Sequence, residues 1–516
     1  SLLTRPPVNA LRDSRLGPDM AAGRVALSGR LRFAIGGRPV APGALDFALD
    51  GVLSGLESEV LVPGRVLAAE RLTLRAEPGL IAVSGQATLD GVPLRAGWRL
   101  PLGPGRGPAE VAGSIRVSPA TLDRLGIALP TGTVSGAGSA DFAVTLPQGA
   151  PPQATLESDL VGLGLSIPAL GWRKPEASSG RLDLQARLGA APAVERLALS
   201  AAGLSAEGRL VLSPDGGMER AVFDRVVAGD WLDTRAILTG RGPGRPPAVR
   251  LEGGRLDLRG FRPAATGPPP PVSLRLERLV VSRGIALTGL EADLAAAQDG
   301  TLSGDFAGRV NGLAPVAGRL SPGEGGPVIR ITAADAGAAL RAAGLFEQSA
   351  GGAMTLQLTP AGPAGHYSGR LRVEGIRVRS APALAALLNT ISIVGLIDQF
   401  SGQGLLFSDV DAVFRLTPRA LQVTRASATG PSLGLSVEGV VDLAERRLDL
   451  QGVASPVYFL NAIGQLFSRP GEGLFGFTYA MRGPVESPRV EVNPLSLLTP
   501  GMFREIFRAA PPEMPE

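Results

Sequence analysis

Side chains that could do covalent or metal chemistry are few in this sequence of 516 residues, and their spacing argues against most catalytic arrangements. There is one histidine, His366, and no cysteine. Disulfides, thiolate metal sites and His-rich metal sites are thereby excluded, and a Ser-His-Asp arrangement could be built only around His366. That histidine follows a Pro-Ala-Gly turn and precedes Tyr367, a setting that suits an exposed loop. Glycoside chemistry would need two or three acids converging on one face. The pairs Asp46/Asp50 and Asp409/Asp411 instead have the spacing of the polar side of ordinary strands. The tract Pro101–Pro108 has Gly-x-Gly content, but no Gly-Lys-Ser/Thr follows and no helix opens after it, so it is a turn and not a phosphate loop. The expectation is a protein without enzymatic activity, metal or cofactor.

Charge adds a second exclusion. The net charge is only +4, Lys174 is the single lysine, and the arginines are scattered among Asp and Glu without a run of like charge. Nucleic acid is not an expected partner. No stretch approaches the roughly 18 to 20 apolar residues of a membrane-spanning helix. The longest candidate, 387–397, is short and carries Asn389, Thr390 and Ser392. The opening residues lack the pattern of a signal peptide, and with no initiator Met the chain reads as a processed or excised piece of something longer.

The elements that would position any site are strands. The 70 glycines and 45 prolines are spread along the whole chain, which fits a turn every few residues. Between them apolar and polar residues alternate: Val25, Leu27, Leu31, Phe33 and Ile35, then Leu45, Phe47 and Leu49, and similar runs onward. Asp90-Gly91 joins two such runs as a hairpin turn. Longer strand segments are expected at 134–146 and 154–167. Short helices are expected after the cap Ser118 with Pro119 behind it, and from about Asp335 to Gly344. The Pro-rich segment 263–271 cannot join a ladder and is a candidate boundary. It divides residues 1–262 from a continuing strand region at 272–365. Residues 366–508 form a distinct C-terminal region, followed by a short structureless tail at 509–516.

Alternating strands have one apolar face that needs cover. Helices long enough to supply it are missing from residues 1–330. Roughly 30 strands are far more than an ordinary barrel or sandwich uses. The expected fold is therefore mainly β: a long, curled antiparallel sheet forming an extended apolar groove, with a few short amphipathic helices, mostly near the C-terminus.

The last third carries apolar helical stripes. They are Leu384, Leu387, Leu388 and Ile391; then Phe459, Leu460, Ile463 and Phe467 after Ser455-Pro456; and Phe503, Ile506 and Phe507 after Thr499-Pro500. Asn493-Pro494 offers another helix start. These stripes could cap the sheet, or face a bilayer interface or a partner. Between them the alternating stretch Gly430–Leu443 would turn Leu433, Leu435 and Val437 to the groove, with Val441 and Leu443 joining after a register change. An arginine at Leu435 is expected to block the groove without unfolding the sheet.

The stretch Gly430–Leu443, the following Leu448-Asp-Leu-Gln-Gly452, and Phe477–Val490 with the segment from Asn493 resemble the C-terminal region of AsmA-like proteins of the YhdP type, which are related in kind to TamB. The stretch from Asp159 to Pro175 is similar to an upstream domain of that family. The resemblance implies a periplasmic protein of a Gram-negative envelope, anchored to the inner membrane by an N-terminal helix that is not among these residues. It further implies a bridge-like lipid transfer protein whose partners are phospholipid acyl chains and the inner or outer membrane, with envelope proteins at either end. The alternative expectation is a scaffold or outer-membrane protein assembly factor that binds partners through strand edges.

Overall fold

The structure, a computed structural model, describes residues 20–32, 46–456 and 476–498, apart from short interruptions at 104, 128, 190, 214–216, 243, 265–268, 297–299, 364, 392–398 and 401. It is mainly β with few short helices. The chain divides into two compact units. The first is Ser1–Ala248 with Gly260–Thr266, and the second is Val249–Arg259 with Gly267–Glu516.

In the first unit thirteen strands, from Ala22–Arg32 to Leu232–Thr239, form an antiparallel meander in which each pairs with the next. Tight turns make this possible. Asp90 and Gly91, at φ 51 and 75, take the left-handed pair that a two-residue hairpin requires. Helix Pro119–Arg124 begins as expected, with the Ser118 hydroxyl accepting from the Thr121 amide at 3.2 Å.

The expected strand 154–167 is two strands in different sheets. Gln153–Ser158 stays in the meander, whereas Leu163–Ile167 pairs with Val134–Gly136 and Trp172–Lys174 in a small three-stranded sheet. The break is local chemistry: the Asp159 carboxylate accepts from the Val161 amide at 3.0 Å while Leu160 adopts φ 57.

The small sheet is held by Lys174, whose side chain is fully buried. Its ammonium donates to the carbonyls of Leu160, Leu163, Pro175 and Ser178 at 2.8, 2.8, 3.1 and 2.6 Å. Burial pushes its pKa down, and Asp159 and Glu176 push it back up. A neutral amine would turn its lone pair on one of these carbonyls, so the cage fits the charged form. Lys174→Met, which keeps the length and removes the donors, is expected to cost about 1–3 kcal/mol. Faster hydrogen exchange confined to residues 159–179 would report the loss.

The second unit opens with a parallel pair, Ala248–Asp257 with Val272–Ser282. The expected all-antiparallel sheet is therefore corrected to a mixed one. A parallel neighbour needs a connection that returns along the strand, and residues 258–271, with their prolines, make it. From Val272 onward the strands meander antiparallel as far as Arg489–Asn493. Helices Ala336–Ala342 and Pro382–Ile391 are inserted between them. Asp335 caps the first by accepting from the Ala338 amide at 2.8 Å. Ser455 and Pro456 end the strand Arg447–Pro456, and the helix expected after them lies outside the described residues. Asn493 leads into a short 3-10 segment, Pro494–Leu498.

Where the parallel strand ends, Asp257 is buried and accepts from the Arg259 amide and guanidinium and from the Arg255 guanidinium, at 2.7–3.2 Å. The Arg259 hydrogen bonds, against the cost of burial, hold its pKa well below the usual carboxylate range. A folded-state pKa below the unfolded one gives stability that is present above about pH 4 and lost as pH falls further. Asp257→Asn should lower unfolding free energy at neutral pH by about 1–3 kcal/mol. It should also flatten the loss of stability between about pH 4 and pH 2, as followed by urea titration at each pH.

Candidate functional site

Residues paired across antiparallel strands share a face, so the register can be read as rows running across the sheet. In the first unit one row runs Val25, Leu53, Leu72, Gly85, Ala96, Gly113, Phe142, Leu156, Leu184, Leu197, Gly208, Phe223, Ala236. The next row on that face runs Leu27, Gly51, Leu74, Val83, Trp98, Val111, Val144, Ala154, Ala186, Val194, Leu210, Ala221, Leu238. Neither row holds a polar side chain. The opposite face carries charge, as in the exposed pairs Arg187–Glu195 and Arg225–Asp233 at 3.0 and 2.8 Å. Such pairs contribute about 0–1 kcal/mol each, but they mark which side faces water.

The second unit repeats the pattern. Its row runs Leu251, Leu274, Ala292, Phe306, Gly318, Ile331, Leu356, Leu371, Ala412, Ala426, Val437, Gly452, Tyr479, Val492. In both units aromatic rings on this apolar face lie over glycines of the adjacent strand. A Cβ at Gly208 would come within 2.9 Å of the Phe223 ring, and one at Gly318 or Gly369 within 2.2 Å of Phe306 or Phe414. The rings therefore lie down into the sheet and leave the face shallow.

The two units differ in cover. Among the described residues the first unit has one α-helix, of six residues, and Trp98, Phe142, Leu156, Leu184 and Leu197 on its apolar face are only half-buried. In the second unit helix Pro382–Ile391 lies against the strands Phe477–Pro484 and Arg489–Asn493. Its Leu387 and Leu388 are buried with Phe400 in one apolar cluster that also holds Ile376, Leu405, Phe407, Leu433 and Leu435. Leu384 and Ile391 pack at the margin of this core. The stripe expected to face a membrane or a partner is thus spent on the chain's own sheet, which is its cheapest source of apolar cover.

The expected groove residues separate accordingly. Leu433 and Leu435, at 2% and 9% exposure, belong to that buried cluster, and Val441 packs at its edge. Val437 is half-buried in the long row, and Leu443 lies beyond the strand end at 42% exposure. The register shift lies on the neighbouring strand, between Val423 and Ala426, so Leu433 through Val441 keep one phase. Phe459, Leu460, Ile463, Phe467, Phe503, Ile506 and Phe507 lie outside the described residues. Sequence reasoning singled out none of Phe142, Leu156 and Leu184 as site residues. Their signal was the same alternation, with nothing to mark it as uncovered.

The carboxylates of each pair share the polar face of one strand, and one member of each meets arginine. Asp411 meets Arg370 and Arg372 at 2.8 and 3.4 Å, and Asp46 meets Arg32 at 3.7 Å. His366 sits in its turn with Nδ1 3.1 Å from the Pro363 carbonyl. No group of three potential metal-ligating side chains occurs among the described residues. No family model matches the chain, and no curated protein or solved structure matches it.

Burial reverses the expectation for Leu435. A charge placed there has no water to reach, so Leu435→Arg should destabilise the second unit by about 3 kcal/mol or more. Leu156→Arg, on a half-exposed face where the long side chain can reach solvent, should cost about 1 kcal/mol. Urea denaturation of the two variants tests the contrast.

Proposed function

We propose that this chain is a lipid-transfer conduit, with phospholipid acyl chains lying along the apolar face of its sheet. The observation that carries the proposal is the pair of adjacent rows in the first unit. They cross thirteen strands without a polar side chain, and apart from the buried Leu72, Ala221 and Ala236 their side chains are half-buried or exposed among the described residues. Each methylene moved from water onto such a face gains roughly 0.8 kcal/mol, while a polar headgroup stays in water at the margin. Because the rows are uniform in chemistry, successive positions are near-equal in energy. A chain on that face slides more readily than it is captured. The Phe223 ring, laid over Gly208, favours this further because it does not stand up as a barrier.

On this proposal the chain works in the periplasm between inner and outer membrane, as the resemblance to AsmA-like proteins implies. The face acts passively, with no bond made or broken.

Mass spectrometry of lipids retained after detergent-free purification is the first test, and phospholipid is the expected result. The double variant Leu156→Arg/Leu184→Arg should fold and retain at least about tenfold less lipid, because each guanidinium must be desolvated for an acyl chain to pass. Fluorescent lipid exchange between donor and acceptor vesicles should fall in parallel. Absence of retained lipid, together with exchange no faster than without protein, would sink the proposal.

A further inference from the structure

The strand Ala22–Arg32 ends the meander of the first unit, pairing with Asp46–Ser58 on one side only among the described residues. All eleven of its residues are exposed. Val25, Leu27 and Leu31 stand at 53, 49 and 47% exposure, whereas Phe47, Leu49 and Leu53 one strand inward are half-buried. The apolar rows therefore continue to this edge and stop without cover among the described residues. Long edge strands are commonly protected by proline, by a charge pointing into the apolar face, or by a covering element. The apolar row of this strand carries no charge, and the strand contains no proline. Its outward backbone amides and carbonyls are disposed to receive another strand.

Charge specifies what that strand should be. The edge carries Arg24, Arg30 and Arg32 and no acid. Its inner neighbour shows the matching solution: Asp46 lies opposite Arg32, and Asp50 opposite Ser28, so that the two aspartates flank Arg30. Arg24 and Arg30 form no ion pair with a carboxylate among the described residues, and the Arg32–Asp46 pair is long at 3.7 Å and exposed. A second copy paired through the same edge would bring two sets of three arginines onto one ribbon, and like charges directly opposite are unfavourable. We infer that this edge is a docking site for an extended polypeptide segment that alternates apolar residues with Asp or Glu, added as a further strand. The inference does not rest on lipid transfer. A chain that binds such a segment but retains no lipid would leave the edge standing and remove the conduit.

The test uses the full chain and a labelled peptide with the sequence of Asp46–Ser58, which already complements the inner side of this strand. Anisotropy should show saturable binding, and hydrogen exchange should slow in residues 22–32. Reversing the edge with Arg24→Glu/Arg30→Glu/Arg32→Glu should weaken binding about tenfold, the summed effect of turning direct and diagonal cross-strand charge contacts from attraction to repulsion. A peptide with Asp46→Lys, Asp50→Lys and Glu57→Lys should restore it on the reversed chain and bind the original chain poorly. A peptide with proline at alternate positions should not bind. Equal binding of the acidic and basic peptides to the original chain would overturn the inference. So would an unaffected proline peptide, or protection that appears away from residues 22–32.

Discussion

Register in the antiparallel ladder is the constraint on which everything else depends. Side chains alternate faces with a period of two, so a slip of one residue between any two strands would turn an apolar row into a charged one. Thirteen strands stay in phase in the first unit even though several contain bulges. Val194 and Leu197 are an odd number of residues apart and should lie on opposite faces. An irregularity between them re-phases the strand, and both join the apolar side through Ala186 and Leu184. Val423 and Ala426 behave in the same way in the second unit. Bulges here maintain a continuous face, which a strict alternation over so many strands of uneven length could not do.

Given that face, what lies over it decides what it is for. In the second unit the inserted helices turn it into an ordinary core, with Leu387, Leu388, Phe400 and Leu433 among its most buried side chains. Among the described residues of the first unit the inserts between strands are small: a six-residue helix, and the three-stranded sheet closed by Lys174. The same alternation therefore gives packed core in one place and an open apolar surface in another. The difference lies in the connections and not in the strands.

The polar side is built from Arg with Asp or Glu in place of Lys, and this has a geometric reason. A guanidinium reaching across one strand spacing can meet a carboxylate with two donors, as Arg225 does with Asp233. The single lysine is used where a compact ammonium is wanted, inside a cage of carbonyls that a planar fork would not fit.

Much of this was legible in the residues. Alternation set the β character and the polar and apolar faces, and Asp90-Gly91, Ser118-Pro119 and Asp335 marked turns and helix starts. The absence of Cys and the lone His366 removed thiol and multi-histidine chemistry, because composition bounds what any fold could assemble. The sequence could not say which alternating runs were covered. Leu435 and Leu156 look alike as one-dimensional pattern, yet one is core and the other half-exposed. Nor could it show that 154–167 breaks at Leu160, or that the second unit begins with a parallel pair, since both depend on partners distant in the chain. Local spacing determines which way a side chain points from its strand, and only tertiary packing determines what it meets there.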